Sequence, residues 1–413
     1  MTRHFCKVNV TNSKNGYNNL ILLDYSKTIL ARLQEPEPLM QVVLGPRQVG
    51  KTTTVKQIVA LLPKTSRIHY AAADAVFRSD WSWIERQWME AEALGDSAIL
   101  ILDEVQKIDN WSEVVKKLWD ASLHSKTRLK VVLLGSSSLA LQSGLSESLA
   151  GRFELIRAYH WNFPESQRAF GHSLDDYLIY GGYPGANRLR SEESRWLTFI
   201  KSSIVETVLD KDIMQLRRVE RPSLFRQVFE LVCSYPAAEI SLRKLVGQLQ
   251  DTGSVETVKH YLELLEGAYL IRTLQKYSTN PLQKKSSSPK ILPLCPALCT
   301  FARGETSLTP DLRGRLFELS VGLDLIRLDG QLYYWRQDQI EVDYVYKHGS
   351  KIYAIEVKSG RRKSPHGLVK FRALFSNANC LVITPDNYPD FAKNPAEYLL
   401  AQGRLQNHRG DSP

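Results

Sequence analysis

The stretch that decides the fold of this chain reads Gly45-Pro46-Arg47-Gln48-Val49-Gly50-Lys51-Thr52. It has the GxxxxGK[ST] spacing of a loop that binds nucleotide phosphates. The apolar residues 41–44 before it predict a strand, and residues 53–62 after it predict an amphipathic helix. Such a loop needs this setting, because backbone N–H groups and a helix N-terminus must point at the phosphates. A glycine-rich turn that matches by chance is the alternative, and the context disfavours it.

The positions of this loop carry different expected roles. Lys51 is expected to reach the β- and γ-phosphates, and the Thr52 hydroxyl is expected to bind Mg²⁺. The other contacts to the nucleotide are expected from the backbone and from the first turn of the helix. The full predicted set is Gly45, Pro46, Arg47, Gln48, Val49, Gly50, Lys51, Thr52 and Thr53. The sequence therefore predicts a site for ATP with Mg²⁺.

A second motif follows downstream, where the apolar run 98–102 ends in Asp103 and Glu104. A continuous apolar run predicts a strand that is buried on both faces, as in a parallel sheet. In P-loop ATPases the first acid holds Mg²⁺, directly or through water, and the second polarises the attacking water. We therefore assign Asp103 to the metal, and Glu104 and Lys51 to catalysis. Two acids that merely cap a strand are the alternative, which the pairing with the phosphate loop disfavours.

Two further positions are predicted near the γ-phosphate, each with an open alternative. An apolar run ends at Gly135, and Ser136 or Ser137 would sense the phosphate if this strand lies beside the acidic one. An ordinary glycine–serine turn explains these residues equally well. Arg152 is a candidate to stabilise charge on the leaving phosphate, in cis or from a neighbouring subunit. Arg47 is its rival, and an arginine on a solvated face is the remaining alternative.

Length and composition define the class of protein. A chain of 413 residues predicts two to four domains, and its 43% hydrophobic and 24% charged residues are typical of a soluble globular protein. The longest apolar runs have the length of strands, so we expect no membrane segment. The N-terminus lacks an apolar signal region, which favours a cytoplasmic location. The formal net charge of +10 is compatible with a DNA or RNA partner and does not require one.

The pattern of elements divides the chain into six parts. Residues 20–165 alternate strand-like and helical segments, which predicts the α/β class and a doubly wound parallel sheet of the P-loop NTPase type. The other predicted parts are an N-terminal extension (1–19), a helical connector (166–225), a winged-helix-like domain (226–280), a small α/β domain (281–395) and a polar tail (396–413).

The winged-helix-like part is predicted from the order helix, tight turn, helix and strand. In the DNA-binding form of this fold the second helix enters the major groove. Lys259 and His260 on that helix could face phosphates, but Glu256, Glu263 and Glu266 on the same helix would repel DNA. We therefore favour a structural or protein-docking role over the reading of DNA.

A second group of chemically capable residues lies near the C-terminus. Residues 341–346 and 351–358 are predicted to form a β-hairpin. Because strand side chains alternate, Glu356 and Lys358 share a face. A four-residue loop over 348–351 would place Asp343 opposite Glu356, whereas a two-residue loop would leave the two carboxylates diagonal. Either arrangement clusters two carboxylates and a lysine.

Adjacent carboxylates repel unless a cation lies between them, and Mg²⁺ or Mn²⁺ suits their oxygens. Glu318, on a predicted helix over 314–326, would be a further ligand or would position a water. Lys358 would orient or deprotonate that water, or stabilise charge. This D…ExK layout is that of phosphodiesterases that cut nucleic acids, so Asp343, Glu356, Glu318 and Lys358 form a candidate nuclease site. Taken alone the pattern is short, and salt bridges on a surface strand are favoured over it.

Together these motifs resemble those of a bacterial and archaeal family of AAA-type ATPases with a C-terminal domain of unassigned function, DUF4143. The resemblance covers nearly the whole chain. It is carried by GPRQVGKT (45–52), ILDEVQKIDNW (101–111), LAGRF (149–153), GGYP (181–184), KDI (211–213), GRLFELS (314–320), YWR (334–336), EVD (341–343) and IEVKSG (355–360). It implies an ATP-binding core, a winged-helix segment and a restriction-endonuclease-like terminal domain. Members of this family often continue after Lys290 with an apolar strand that ends in Asp and Gly. In this chain, residues 291–298 lack that Asp.

Three functions are weighed against these patterns. The first is an ATPase that hydrolyses ATP with Mg²⁺ and couples this to nucleic-acid binding or processing through a nuclease-like domain. The second is a regulatory ATPase switch or scaffold, whose terminal domain only binds a protein or DNA partner. The third, a simple kinase or NTP-transferase, is disfavoured by the long helical and winged-helix portions and because no second small-substrate pocket is indicated. A protein partner at the winged-helix segment and an oligomeric state are compatible with the first two.

Overall fold

The computed structural model describes residues 21–410 except 37, 76–79, 123–126, 136–140, 143, 146–147, 215–216, 218, 250–252, 279–286 and 361–365. Within this part, the strands form sheets of five, four and three strands. Among the described residues, no helix combines the length and the apolar character needed to cross a membrane.

The first region is built on the five-stranded sheet, in the order β2-β3-β4-β1-β5. All of its neighbouring strands are parallel, which confirms the predicted doubly wound sheet. The strands are β1 (Met40–Leu44), β2 (Ile68–Ala72), β3 (Ile99–Asp103), β4 (Lys130–Gly135) and β5 (Phe153–Arg157). The helices are α1 (Asp24–Gln34), α2 (Lys51–Leu61), α3 (Ser82–Glu92) and α4 (Trp111–Ser122).

Alternation along the central strands explains why helices cover both faces of this sheet. Val42 packs in one apolar cluster with Trp88 of α3, whereas the next residue, Val43, packs in another with Ile29 of α1. A strand that is apolar at every position needs cover on both sides, because either face would otherwise expose apolar surface to water.

The middle region is mainly helical and contains the three-stranded sheet. Its helices are α5 (Phe163–Phe170), α6 (Leu174–Tyr180), α7 (Pro184–Asn187), α8 (Glu193–Phe199), α9 (Pro222–Ser234), α10 (Leu242–Gln248), α11 (Val255–Gly267) and α12 (Pro296–Arg303). Two π-helical segments, Ile200–Val205 and Thr207–Met214, follow α8. The strands are β6 (Ala238–Glu239), β7 (Ile271–Leu274) and β8 (Lys290–Pro293). β8 lies between β6 and β7, although the sequence division places it in the next domain.

The last region packs helices on the four-stranded sheet, in the order β12-β11-β10-β9. The strands are β9 (Gln331–Gln337), β10 (Ile340–His348), β11 (Lys351–Val357) and β12 (Ala378–Ile383). The helices are α13 (Pro310–Ile326), α14 (His366–Leu374), α15 (Tyr388–Lys393) and α16 (Pro395–Gly410). The segment predicted as a polar tail therefore begins with a helix, and Leu399 on it is buried.

The predicted hairpin is present, with a correction to its register. The loop between β10 and β11 has two residues, because His348 pairs with Lys351. Tyr344 pairs with Ile355, so Asp343 and Glu356 continue the same row. The expectation that a two-residue loop would leave these carboxylates diagonal is wrong. Loops over 348–351 and over 349–350 have the same centre, and both therefore produce the same register.

Candidate functional site

The phosphate loop connects the carboxyl end of β1 to the first turn of α2. Gly50 has φ of +89°, a left-handed conformation that glycine adopts without steric cost. Gly45 is required by close packing, because a Cβ there would lie 2.0 Å from the carbonyl oxygen of Ala158. The two glycines of the motif therefore allow a sharp turn that is held against the chain after β5.

Lys51 lies folded into this loop. Its Nζ donates hydrogen bonds to the carbonyl oxygens of Gly45, at 2.9 Å, and Pro46, at 2.6 Å. Burial lowers the pKa of the Lys51 ammonium to about 8. These two neutral carbonyls accept hydrogen bonds from the ammonium without neutralising its charge. The lysine can therefore exchange these contacts for those of an anion.

The structure brings Thr52 and Asp103 together. Thr52 Oγ1 donates to Asp103 Oδ2 at 2.8 Å, and the hydroxyl of Tyr70 donates to the same oxygen at 2.8 Å. The contact arises because the carboxyl ends of parallel strands meet at one edge of the sheet. A hydroxyl beside a buried carboxylate is a donor set that suits Mg²⁺, so these residues fit the metal expected with ATP. Sequence reasoning missed Tyr70, which lies on β2 next to the acidic strand.

Glu104 follows in an unusual backbone conformation. Its φ of +56° and ψ of +33° lie in the left-handed region, which is uncommon for residues other than glycine. The amide of Gln106 donates to Glu104 Oε2 at 2.7 Å and holds the carboxylate. Such backbone strain costs about 1–3 kcal/mol and clusters at functional sites. Gln106 is therefore a further site residue, which the sequence patterns did not indicate.

The strand expected to carry a phosphate sensor is in the predicted place. β4 lies between β1 and β3, beside the acidic strand. Ser136 and Ser137 themselves lie outside the described residues, so their sensing role stays a prediction.

Arg152 lies away from the loop. It precedes β5, and its guanidinium binds both carboxylate oxygens of Asp120, at 2.7 and 2.9 Å. Its carbonyl accepts from the N–H of Met40, at the amino end of β1, whereas the phosphate loop leaves the carboxyl end. A strand of this length separates the two ends by roughly 16 Å. The proposed role of Arg152 in cis is therefore wrong, and its role from a neighbouring subunit stays a prediction.

Arg47, the rival arginine, has a partner from the middle region. Its Nε donates to Asp212 Oδ2 at 2.5 Å, and its Nη2 donates to Oδ1 at 2.6 Å. Asp212 is buried and lies on the second π-helical segment. π-helical turns are rare and are frequent at functional sites. Asp212 was quoted above only as part of a family motif, because nothing in a local pattern shows that its carboxylate reaches the loop.

Two aromatic residues complete the contacts around the loop, and both were missed. The indole N–H of Trp161 donates to the carbonyl oxygen of Val49 at 2.9 Å. The hydroxyl of Tyr25, on α1, donates to Thr54 Oγ1 at 2.9 Å. Apolar spacing alone would assign both aromatics to the core.

The C-terminal acidic cluster, here Glu318, Asp343 and Glu356, has a different arrangement. Lys290 Nζ donates to Glu318 Oε1 at 2.5 Å and to the carbonyl oxygen of Asp343 at 3.0 Å. Asp343 Oδ2 accepts the N–H of Val357 at 2.7 Å. Glu356 forms an ion pair with Lys358. The predicted residues therefore lie in one place, and their carboxylates already have protein partners.

The acidic cluster does not fit the divalent metal that its layout predicted. Within the part of the chain that the structure describes, no group of three or more His, Cys, Asp or Glu side chains could hold a metal ion. The predicted Mg²⁺ or Mn²⁺ site at Asp343 and Glu356 is therefore corrected. The physical reason is Lys290, whose ammonium supplies the positive charge that the carboxylates require.

The sheet order, the glycine-bounded loop and the paired Thr52 and Asp103 are features of the P-loop NTPase class of fold. Family models agree with this class: an AAA domain matches residues 37–167, and two domains of unknown function, DUF8612 and DUF4143, match residues 171–308 and 313–395. The chain therefore carries an AAA domain, followed by a DUF8612 domain and a C-terminal DUF4143 domain. The expectation of a restriction-endonuclease-like fold there stays a prediction.

Relatives and solved structures share large parts of the chain. An uncharacterized protein of Mycobacterium tuberculosis is 27% identical over 79% of this chain and 72% of its own length. An uncharacterized protein of Methanocaldococcus jannaschii is 24% identical over 74% of this chain and 71% of its own. Among solved structures, a Walker-type ATPase of Pyrococcus abyssi is 17% identical, with a TM-score of 0.45, over 68% of this chain and 94% of that one.

Proposed function

We propose that this protein binds ATP at the phosphate loop and hydrolyses it slowly as a regulatory switch. The observation that carries the proposal is the 2.8 Å contact between Thr52 Oγ1 and Asp103 Oδ2, beside a buried Lys51. This is the placement of hydroxyl, carboxylate and ammonium that a bound magnesium nucleotide requires. A structural turn would have no need for a charged lysine in its interior.

The residues of the site divide the work of hydrolysis. Lys51 exchanges the carbonyls of Gly45 and Pro46 for phosphate oxygens and binds the charge that develops there. Thr52 and Asp103 would hold Mg²⁺, which neutralises phosphate charge when it is bound. Glu104, held by Gln106, accepts a hydrogen bond from the attacking water and orients it.

The contact between Arg47 and Asp212 supports a switch. Arg47 lies inside the loop that receives the phosphates, so a bound triphosphate competes with Asp212 for its guanidinium. When Arg47 turns to the phosphates, Asp212 is left as a buried charge without its partner, which is costly. The unpaired charge of Asp212 then favours a displacement of the second π-helical segment. Nucleotide binding is thereby transmitted to the middle region. Such differential contact is what a ligand needs to shift a conformational equilibrium.

The terminal domain is proposed to bind a partner. The acidic cluster offers no metal-binding group among the described residues, which favours binding over cleavage. The net charge of +10 makes an anionic partner, DNA or RNA, the first to test. Nuclease activity is the second candidate, and the observation that favours it is the shared row of Asp343 and Glu356 beside Lys358.

The test compares nucleotide binding and turnover in the wild type, Glu104→Gln and a control, Glu263→Gln, whose side chain is exposed on α11. We expect Glu104→Gln to bind Mg-ATP as the wild type does and to lose about a hundredfold in turnover, in the range of a lost catalytic base. The control should keep both. Turnover at the wild-type rate in Glu104→Gln would remove the role of Glu104, and no binding by the wild type would refute the proposal.

A further inference from the structure

We propose that Lys290 is a built-in cation that takes the place of a divalent metal in the acidic cluster of the C-terminal domain. This inference is independent of the nucleotide site. The cluster of the native chain does not bind Mg²⁺ or Mn²⁺, and removal of the Lys290 side chain allows it to bind them.

The ammonium of Lys290 lies against Glu318 and the backbone of Asp343. It contacts Glu318 Oε1 at 2.5 Å, the carbonyl oxygen of Asp343 at 3.0 Å and the face of the Tyr344 ring, whose centroid is 4.5 Å away. A carboxylate, a carbonyl and an aromatic face all present negative potential to the same nitrogen. Burial lowers the pKa of Lys290, but the charges of Glu318 and Asp343 outweigh it and raise the pKa above the ordinary value for lysine.

The backbone holds Lys290 in this position. It is the first residue of β8, where it pairs with Glu239 of β6 on one side and Leu274 of β7 on the other. Its side chain is 7% exposed. The backbone of Lys290 is therefore fixed by a strand that is bonded along both edges. This cation comes from the sheet of the middle region, whereas the carboxylates come from α13, β10 and β11, so the same contact ties the two regions together.

The remaining oxygens of the cluster do not make up a metal site. Asp343 Oδ2 accepts the N–H of Val357, and Glu356 Oε1 pairs with Lys358. Glu356 Oε2 is buried and has no hydrogen-bond partner. Each carboxylate of the cluster therefore already has one oxygen engaged with a cation or a backbone N–H, which a bound Mg²⁺ would have to compete with. A divalent ion would also be repelled by two neighbouring ammonium groups.

The acidic cluster is open to solvent, so restricted access of ions is not what would keep a metal out. Lys290, Glu318 and Asp343 line a polar cleft of about 650 Å³. Solvent ions therefore reach the cluster, and the ammonium of Lys290, rather than a closed wall, is what excludes them. Without the lysine, the neighbouring carboxylates would repel each other and would attract a divalent cation.

The experiment is a titration of nucleotide-free, full-length protein with Mn²⁺, followed by electron paramagnetic resonance. All variants carry Thr52→Ala, so that the phosphate-loop site does not contribute. We expect the parent to show no Mn²⁺ site that Asp343→Asn or Glu356→Gln removes. Lys290→Ala should gain one site, at least tenfold tighter than any in the parent, and Asp343→Asn should abolish the gain. The control Lys351→Ala, an exposed lysine at the start of β11, should gain nothing.

Melting temperature supplies a second measurement. Mn²⁺ should raise the melting temperature of the Lys290→Ala variant and leave that of the parent unchanged, because the ion restores the missing charge. If Lys290→Ala does not fold, the parent with and without Asp343→Asn decides the question. The proposal is overturned by a Mn²⁺ site in the parent that Asp343→Asn removes, by a folded Lys290→Ala that gains no site, or by Mn²⁺-dependent plasmid cleavage that Lys358→Ala abolishes.

Discussion

The phosphate loop and the acidic cluster each place a buried lysine beside acids, and the two lysines are satisfied differently. Lys51 donates to the backbone carbonyls of Gly45 and Pro46, and burial lowers its pKa to about 8. Lys290 donates to the carboxylate of Glu318, and the surrounding charges raise its pKa. The first ammonium is hydrogen-bonded to neutral carbonyls, whereas the second is hydrogen-bonded to a carboxylate.

This difference bears on how each site is used. A neutral carbonyl is a weaker partner for an ammonium than a phosphate is, so Lys51 gains by exchanging one for the other. A carboxylate that already has a buried ammonium gains little from a metal, because the lysine would first have to be removed from its partner. Similar residue types therefore make a ligand site in one region and a closed structural contact in the other.

The largest expected effect tests the phosphate loop, where Lys51 is expected to bind a ligand. Lys51→Ala should weaken Mg-ATP binding about a thousandfold, since it loses two charge-assisted hydrogen bonds worth about 2 kcal/mol each. Isothermal titration calorimetry measures the dissociation constant. The control is Lys64→Ala, an exposed lysine beyond α2. An affinity within threefold of the wild type would contradict the role of Lys51.

The next effect tests the acidic cluster, where Lys290 is paired with Glu318. Lys290→Met should lower the free energy of unfolding by about 3 kcal/mol, because it leaves the carboxylate of Glu318 without its cation. Urea denaturation measures the change. The double variant Lys290→Met/Glu318→Gln should recover much of the loss, since no charge is then left unpaired. A double variant that is less stable than the single one would show that Lys290 acts by packing alone.

A smaller effect concerns the arginine within the phosphate loop. Asp212→Asn should tighten ATP binding about tenfold, because the nucleotide no longer competes with a carboxylate for the guanidinium of Arg47. Fluorescent-nucleotide titration measures this, with Asp210→Asn as the control on the same segment. Weaker binding in Asp212→Asn than in the control would mean that the ion pair positions Arg47 for the nucleotide.

The smallest effect concerns pH. The phosphates bind the protonated form of Lys51, whose pKa in the free protein is lowered to about 8. The fraction of free protein that carries this proton falls as the pH rises through that value, so the affinity for ATP should fall about fourfold between pH 7 and pH 8.5. Titrations at several pH values measure the trend. In Lys51→Arg, which stays charged, the affinity should not fall in this range.

Sequence reasoning predicted local features well. The spacing of the loop, the apolar strand before Asp103 and the hairpin around residues 349–350 all follow from short-range patterns. The conformation of each of these segments depends mainly on residues that are close along the chain. Arg152 shows the limit of this reasoning: its motif is local, but whether the guanidinium lies near the phosphates depends on which end of β5 it occupies and which strand lies beside it.

By itself, the sequence determined that this chain is an α/β P-loop protein with a phosphate loop, an acidic strand end and a row of carboxylates near the C-terminus. Only the tertiary structure decided which of these acids are still available to a ligand. The partners that decide this, Asp212 for Arg47 and Lys290 for Glu318, lie 165 and 28 residues away in the chain. The interaction between two charges depends on their distance in space. The spacing of residues along the chain predicts that distance only within a helix turn or a hairpin.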